Sequence, residues 1–202
     1  MNRVDPGGIS DRLRFVGAFL RDPFHVGAVT PASSSLGVSI GAATRRAACV
    51  EFSAPTPRYG VSASTCARST SPRIVELGAG TGSVSQYICT MNPVLVERNH
   101  EWANLLRKRF PHLEIRTECA TRALATLNKP IGIVSSIPMF NNPQADVIKT
   151  LLKRKYADGL IRFCVLYTYG WTNPLVGVGF REQTREYFVT RSFPPASVWV
   201  YR

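Results

Sequence analysis

The run Glu76-Leu77-Gly78-Ala79-Gly80-Thr81-Gly82 lies between a short apolar stretch and a helical one. Glycines spaced in this way let a strand-to-helix turn bend tightly and bring the backbone close to a ligand with no Cβ in between. A dinucleotide fingerprint would need glycine at position 83 as well; Ser83 stands there, which disfavours pyrophosphate binding. Glu97 closes the next apolar run, 19 residues after Gly78, where a Rossmann arrangement sets an acid against ribose hydroxyls. A carboxylate accepts from two vicinal hydroxyls at once, in charge-assisted hydrogen bonds that an amide could not match. Turn and acid together predict a pocket for a ribose-bearing ligand.

Such a pocket needs a sheet to hold it, and the pattern around it supplies one. Short apolar runs at Ile74–Leu77, Val94–Val96, Leu113–Ile115, Ile131–Val134 and Ile161–Tyr167 alternate with helical stretches at Val84–Cys89, Glu101–Phe110, Thr121–Leu127 and Gln144–Lys155. Parallel neighbours require crossover connections, so this succession predicts an α/β fold: a Rossmann-like, doubly wound, mostly parallel sheet covered on both faces. Tyr187–Thr190 and Val198–Tyr201 alternate again and complete seven strands as an antiparallel hairpin at the edge. Upstream, Thr30 and Pro31 suit the entry to a helix over Ala32–Arg46.

Earlier still, Ile9, Leu13, Val16 and Leu20 recur at helical spacing, widened by Phe15 and Phe19, with Arg14 and Arg21 opposite and Arg12 able to snorkel outward. This predicts a basic amphipathic N-terminal helix, stopped by Pro23, which either packs on the domain's own core or lies on a membrane surface. Residues 47–72 are dominated by Pro, Ser, Thr, Arg and Ala and are expected to form a mobile surface insertion. The expected organisation is an amphipathic arm and lid at 1–46, the insertion at 47–72, and the ligand-binding domain at 73–202.

The chain has 202 residues, room for one domain, and 45% of them are hydrophobic, which argues against a disordered chain. A net charge of +12 points to an anionic partner, nucleic acid or an anionic membrane surface, between which charge alone does not choose. Five scattered cysteines without a Cys-x-x-Cys pair suggest neither a disulfide framework nor zinc; with His25, His100 and His112 far apart in sequence, no metal is expected. No stretch approaches the length of a membrane span, and the expected location is cytoplasmic, peripheral at the inner membrane face.

The Glu-Leu-Gly-x-Gly-x-Gly turn resembles the first motif of class I S-adenosylmethionine-dependent methyltransferases. Gly27-Ala28-Val29-Thr30-Pro31-x-Ser33, Val96-Glu97-Arg98-Asn99, Arg107-x-Arg109-Phe110-Pro111, Ser136-Ile137-Pro138, Tyr167-Thr168-Tyr169-Gly170 and Phe193-Pro194-Pro195-Ala196-x-Val198-Trp199-Val200-Tyr201 are together similar to bacterial phospholipid N-methyltransferases, which act on phosphatidylethanolamine. That family is in turn similar to ribosomal RNA adenine dimethyltransferases. The resemblance covers nearly the whole chain outside residues 47–72. It implies S-adenosyl-L-methionine as cofactor, held by Thr30, Glu76, Gly78, Gly80, Thr81, Gly82, Glu97, Arg98, Glu118 and Cys119, with Ser136 and Tyr169 at the reacting end.

Two departures stand out. Where such enzymes carry an Asp that accepts from the adenine amino group, this chain has Cys119, a poor acceptor, beside Glu118. Either Glu118 substitutes by a small register shift, or a backbone amide reads the adenine alone, or the cofactor is bound weakly, or activity is lost. Adenine dimethyltransferases hold their base with Asn-x-Pro-aromatic; here Ser136-Ile137-Pro138-Met139 lacks both amide and ring, with Phe140 one position later. An aliphatic amine, the headgroup of a phospholipid, is therefore expected in preference to RNA. Tyr167, Tyr169 and Trp171 follow the fifth strand, where their faces could hold a methylated ammonium at about 0.5–2 kcal/mol per ring. Alternatively, Tyr167 is a core residue and Trp171 covers the sheet edge.

Overall fold

The computed structural model describes residues 33–52, 73–140, 142–192 and 194–202. The basic helix expected at Ile9–Leu20, Thr30 and most of the expected insertion, residues 53–72, lie outside them.

The first described helix, α1 (Ser34–Phe52), begins where the Ser33 hydroxyl accepts from the Leu36 amide. It runs on past the expected end at Arg46, so residues 47–52 belong to a packed helix and not to an insertion. The cause is a core for them to meet: Ala47 is fully buried, and the Phe52 ring sits edge-on to Phe163 with centroids 5.9 Å apart.

From there strand and helix alternate: β1 (Arg73–Leu77), α2 (Ser85–Ile88) with a 3-10 turn over Cys89–Met91, β2 (Val94–Val96), α3 (His100–Arg109), β3 (Ile115–Arg116), α4 (Ala120–Ala125), β4 (Ile131–Ser135), α5 (Ala145–Ala157) and β5 (Ile161–Tyr169). β6 (Gln183–Val189) and β7 (Ala196–Tyr201) complete a seven-stranded sheet of order β3-β2-β1-β4-β5-β7-β6. β1 to β5 are mutually parallel, and β7 is antiparallel to both neighbours, β5 and β6. The doubly wound sheet with an antiparallel edge follows the sequence pattern.

Strands with two covered faces must be apolar throughout, and β4 is buried from Ile131 to Ser135. On one face α4, α5 and the segment containing Leu175, Val178 and Phe180 close a core over Ile133, Cys164 and Leu166. On the other, α1 and α2 pack over Ile74, Phe163 and Val165.

Two strands differ from expectation. β3 begins at Ile115, because Leu113 turns its side chain into a cluster with Ala79, Leu106 and Phe110 instead of pairing. β6 begins at Gln183, ahead of the apolar pattern, because the exposed edge lets Gln183, Thr184 and Arg185 pair through their backbone alone.

α1 comes unusually near α2. A Cβ on Gly41 would stand 2.8 Å from the Tyr87 carbonyl oxygen, and one on Gly37 would fall into the Tyr87 ring. A ring can swing aside; a backbone carbonyl cannot. Gly41→Ala should therefore destabilise the protein by about 1–3 kcal/mol despite alanine's better helix propensity, read as a lowered midpoint in urea unfolding.

Candidate functional site

The glycine turn follows directly from the sheet. As β1 ends, the Gly78 and Ala79 amides both donate to the Val96 carbonyl, at 2.9 and 3.1 Å, folding the turn over the end of β2. Gly78, Gly80 and Gly82 all have positive φ, at 73°, 55° and 86°. Their surroundings differ. A Cβ on Gly78 would meet Ile137 at 2.6 Å and one on Gly82 would meet Phe110 at 2.7 Å, whereas no atom lies within 4 Å of where one on Gly80 would be. Packing thus requires two of the glycines, and the third faces open space where a ligand can approach the main chain.

The Gly80 amide donates to Glu97 Oε2 at 2.8 Å, and the Asn99 amide donates to Oε1 at 2.8 Å. Asn99 also caps α3, its side-chain oxygen accepting from the Glu101 and Trp102 amides. Glu97 is only 6% exposed, so these two amides set its orientation. A carboxylate oxygen can accept more than once, which leaves the group able to take hydroxyl donors as well.

Beneath the turn lies Glu76, fully buried. Ser85, at the start of α2, donates its hydroxyl to Oε2 at 2.6 Å, and Ser136, just beyond β4, donates to Oε1 at 3.2 Å. Burial pushes this carboxyl up to about 7; the two hydroxyls work against that rise, and the negative charge of Glu97 adds to it. Ser136 is fixed in turn by its amide, which donates to the Leu77 carbonyl at 2.9 Å. On β5, Tyr167 has its hydroxyl pKa raised by burial and further by Tyr169 and Glu76, and Tyr169 has its own raised by burial. The two rings meet edge to face at 5.9 Å.

Glu76, Gly80, Glu97 and Ser136 therefore converge at the carboxyl end of the parallel strands. Thr81 stands on the turn, its carbonyl accepting from Arg109, and Arg98 is exposed ahead of α3. Glu118 and Cys119 stand beyond β3. Glu118 is drawn toward Arg116 and Arg122, at 4.0 and 3.7 Å, so any ligand amine competes with two guanidiniums for it. The Cys119 thiol lies 3.1 Å from the Thr121 hydroxyl, and hydrogen bonding from Thr121 and from backbone amides lowers its pKa. Trp171 is 62% exposed and stacks on Phe188 at 3.9 Å, with the Arg185 guanidinium 4.5 Å from its ring centroid. Its ring thus already has a cation and an aromatic partner. Tyr167 packs with the core on the α1 face.

Ser85 and Asn99 are the site residues the sequence reading passed over. Asn99 carries the ordinary signal of a helix cap; Ser85 carries none, because only the fold brings it to an acid nine positions earlier. Among the described residues, no group of His, Cys, Asp and Glu side chains could hold a metal ion, and no helix is long and apolar enough to cross a membrane.

No protein-family model matches the chain, and no curated protein matches its sequence. Solved structures do match in fold. The N-terminal domain of EvdMO1, determined with SAH bound, aligns over 82% of this chain and 80% of its own with a TM-score of 0.54 at 14% identity. The bifunctional kinase-methyltransferase WbdD aligns over 64% of this chain and 34% of its own, with a TM-score of 0.50 at 14% identity. The 23S rRNA methyltransferase ErmE aligns over 65% and 61%, with a TM-score of 0.44 at 15% identity. The chain shares with EvdMO1 a Rossmann-like α/β fold.

The raised carboxyl of Glu76 has a signed consequence. Between about pH 4.5 and 7 the unfolded chain loses this proton while the folded chain keeps it, so stability falls as pH rises through that window and levels off above it. The fall amounts to about 3 kcal/mol. Glu76→Gln removes it: comparing urea unfolding at about pH 5 and about pH 8, the wild type should lose roughly that much more stability than the variant.

Proposed function

We propose that the protein is an S-adenosylmethionine-dependent N-methyltransferase acting on the amine headgroup of a phospholipid, such as phosphatidylethanolamine, at the membrane surface. The observation that carries the cofactor reading is the convergence of two buried acids on the one turn whose middle glycine leaves space for a ligand. In a chain of net charge +12, this negative spot suits a ligand that joins a ribose to a sulfonium and an ammonium group. Glu97 would take the ribose hydroxyls, the Gly80 backbone would border the ligand, and Glu76, steadied by Ser85 and Ser136, would offset its positive charge. The fold shared with EvdMO1, determined with SAH bound, supports this assignment.

The bound cofactor supplies an electrophilic methyl group, and methyl transfer from it asks for alignment and exclusion of water more than for a nucleophilic side chain. Ser136 and Tyr169 are the residues proposed for the acceptor's end. The amine must arrive without its proton, and no described side chain is assigned as its base. An aliphatic amine is favoured over a nucleobase because the position of the base-stacking aromatic is held by Met139, only 4% exposed. The positive charge supports ribosomal RNA as the second reading, and Cys119 supports a third, a protein that binds the cofactor without turning it over.

One assay separates all three: methyl-labelled cofactor incubated with phosphatidylethanolamine vesicles or with unmodified ribosomal RNA. Label in lipid is expected; label in adenine or in neither would refute the proposal. Glu97→Ala should weaken cofactor binding about 10- to 100-fold by calorimetry, as expected for the loss of charge-assisted hydrogen bonds. If the basic helix read at Ile9–Leu20 docks on lipid, replacing Phe15 and Phe19 with Ser should reduce sedimentation with anionic vesicles and leave cofactor affinity intact.

A further inference from the structure

The loops that rise from the carboxyl ends of β4, β5 and β6 differ from the rest of the surface. Although 19% of the chain is charged, residues 136–144, 170–180 and 190–195 contain a single charged side chain, Arg191. The stretches after β4 and β6 stand beside the start of the one after β5, because β6 runs in the same direction as β5, both being antiparallel to β7; residues 173–180 then cross back over the sheet and bury Leu175, Val178 and Phe180. Among the described residues, three large apolar side chains are exposed in these stretches, Phe140 at 43%, Trp171 at 62% and Val176 at 71%, and the first two stand at the carboxyl end of the sheet.

Trp171 rests on a platform. It stacks on Phe188 and carries the Arg185 guanidinium at 4.5 Å, and that guanidinium also lies 5.9 Å from the Trp199 ring. The nearby acid on β6, Glu186, is taken up by Arg46 and Arg202. Asp146, in the first turn of α5, is the carboxylate that begins where the first of these loops ends.

We propose that this rim, with Trp171 and Phe140 at headgroup level and Arg185 and Arg191 against lipid phosphates, is an interfacial docking surface for an anionic phospholipid bilayer. Indole and phenyl rings settle at the boundary between headgroups and acyl chains. Cations beside them are attracted to anionic lipid, and carboxylates there would be repelled. The rim borders the carboxyl end of the sheet, so docking would turn the candidate site toward the bilayer. This proposal deepens the lipid reading and rests on it, and it requires nothing of the N-terminal segment.

The test uses the full chain and the double variant Trp171→Ser, Phe140→Ser, with an unchanged thermal midpoint as the check on folding. Vesicles of phosphatidylethanolamine with phosphatidylglycerol are expected to sediment the wild type, and the variant should partition about tenfold less. Methyl transfer by the variant should fall on vesicles and persist on phosphatidylethanolamine dispersed in non-ionic detergent. Equal sedimentation of variant and wild type would overturn the proposal. So would undiminished vesicle binding with weakened binding to unmodified ribosomal RNA. A wild type that labels lipid in neither form would remove the substrate assignment, while the sedimentation comparison would still decide the rim.

Discussion

A carboxyl group cut off from water must be given partners or a proton, and Glu76 is such a group. Its oxygens receive one hydroxyl from the helix after β1 and another from the chain after β4, so one side chain fixes three segments that are distant in sequence. Burying a polar group without such partners costs several kcal/mol, which makes these hydroxyls a condition for the end of β1 to lie where it does. The glycine turn starts from that end, and the amides of Gly78 and Ala79 attach it to β2. Glu97 then extends the chain of contacts to the Asn99 cap and α3.

Electrostatics gives this arrangement its character. Arginine and lysine outnumber acids by 25 to 13 in the chain, yet the two acids at the turn are buried beside one another. Glu97 is oriented by backbone amides, while Glu76 is held by hydroxyls and kept close to neutrality by burial. The site therefore sets an acid oriented by backbone amides beside one whose charge can appear when a positive ligand arrives. Under the proposed function, this suits a cofactor that loses positive charge on giving up its methyl group.

Much of this is legible in the sequence. β2 and β4 are covered on both faces, so their burial writes itself into the sequence as apolar runs, a pattern that β1 shares except at Glu76, and the turn and Glu97 stand out by residue type and spacing. What stayed hidden depends on context. Residues 47–52 look like the start of an irregular stretch until Phe163 provides a surface for Phe52. Leu113 has the composition of a strand residue and is claimed by α3 instead. The partners of Glu76 could not be inferred, because serines have no periodicity that betrays them. Trp171 has the residue type of a cation holder, and the cation at its face belongs to the chain itself, Arg185.

The placement of β7 between β5 and β6 also bears on how the molecule is made. Before Ala196–Tyr201 take their place, β6 lacks the strand it pairs with, and β5 offers an open apolar edge. Unpaired edges of this kind invite association with other chains. Until β7 inserts between them, β6 has no neighbour in the sheet and β5 keeps one side open, so the chain is most exposed to such association just before the sheet closes.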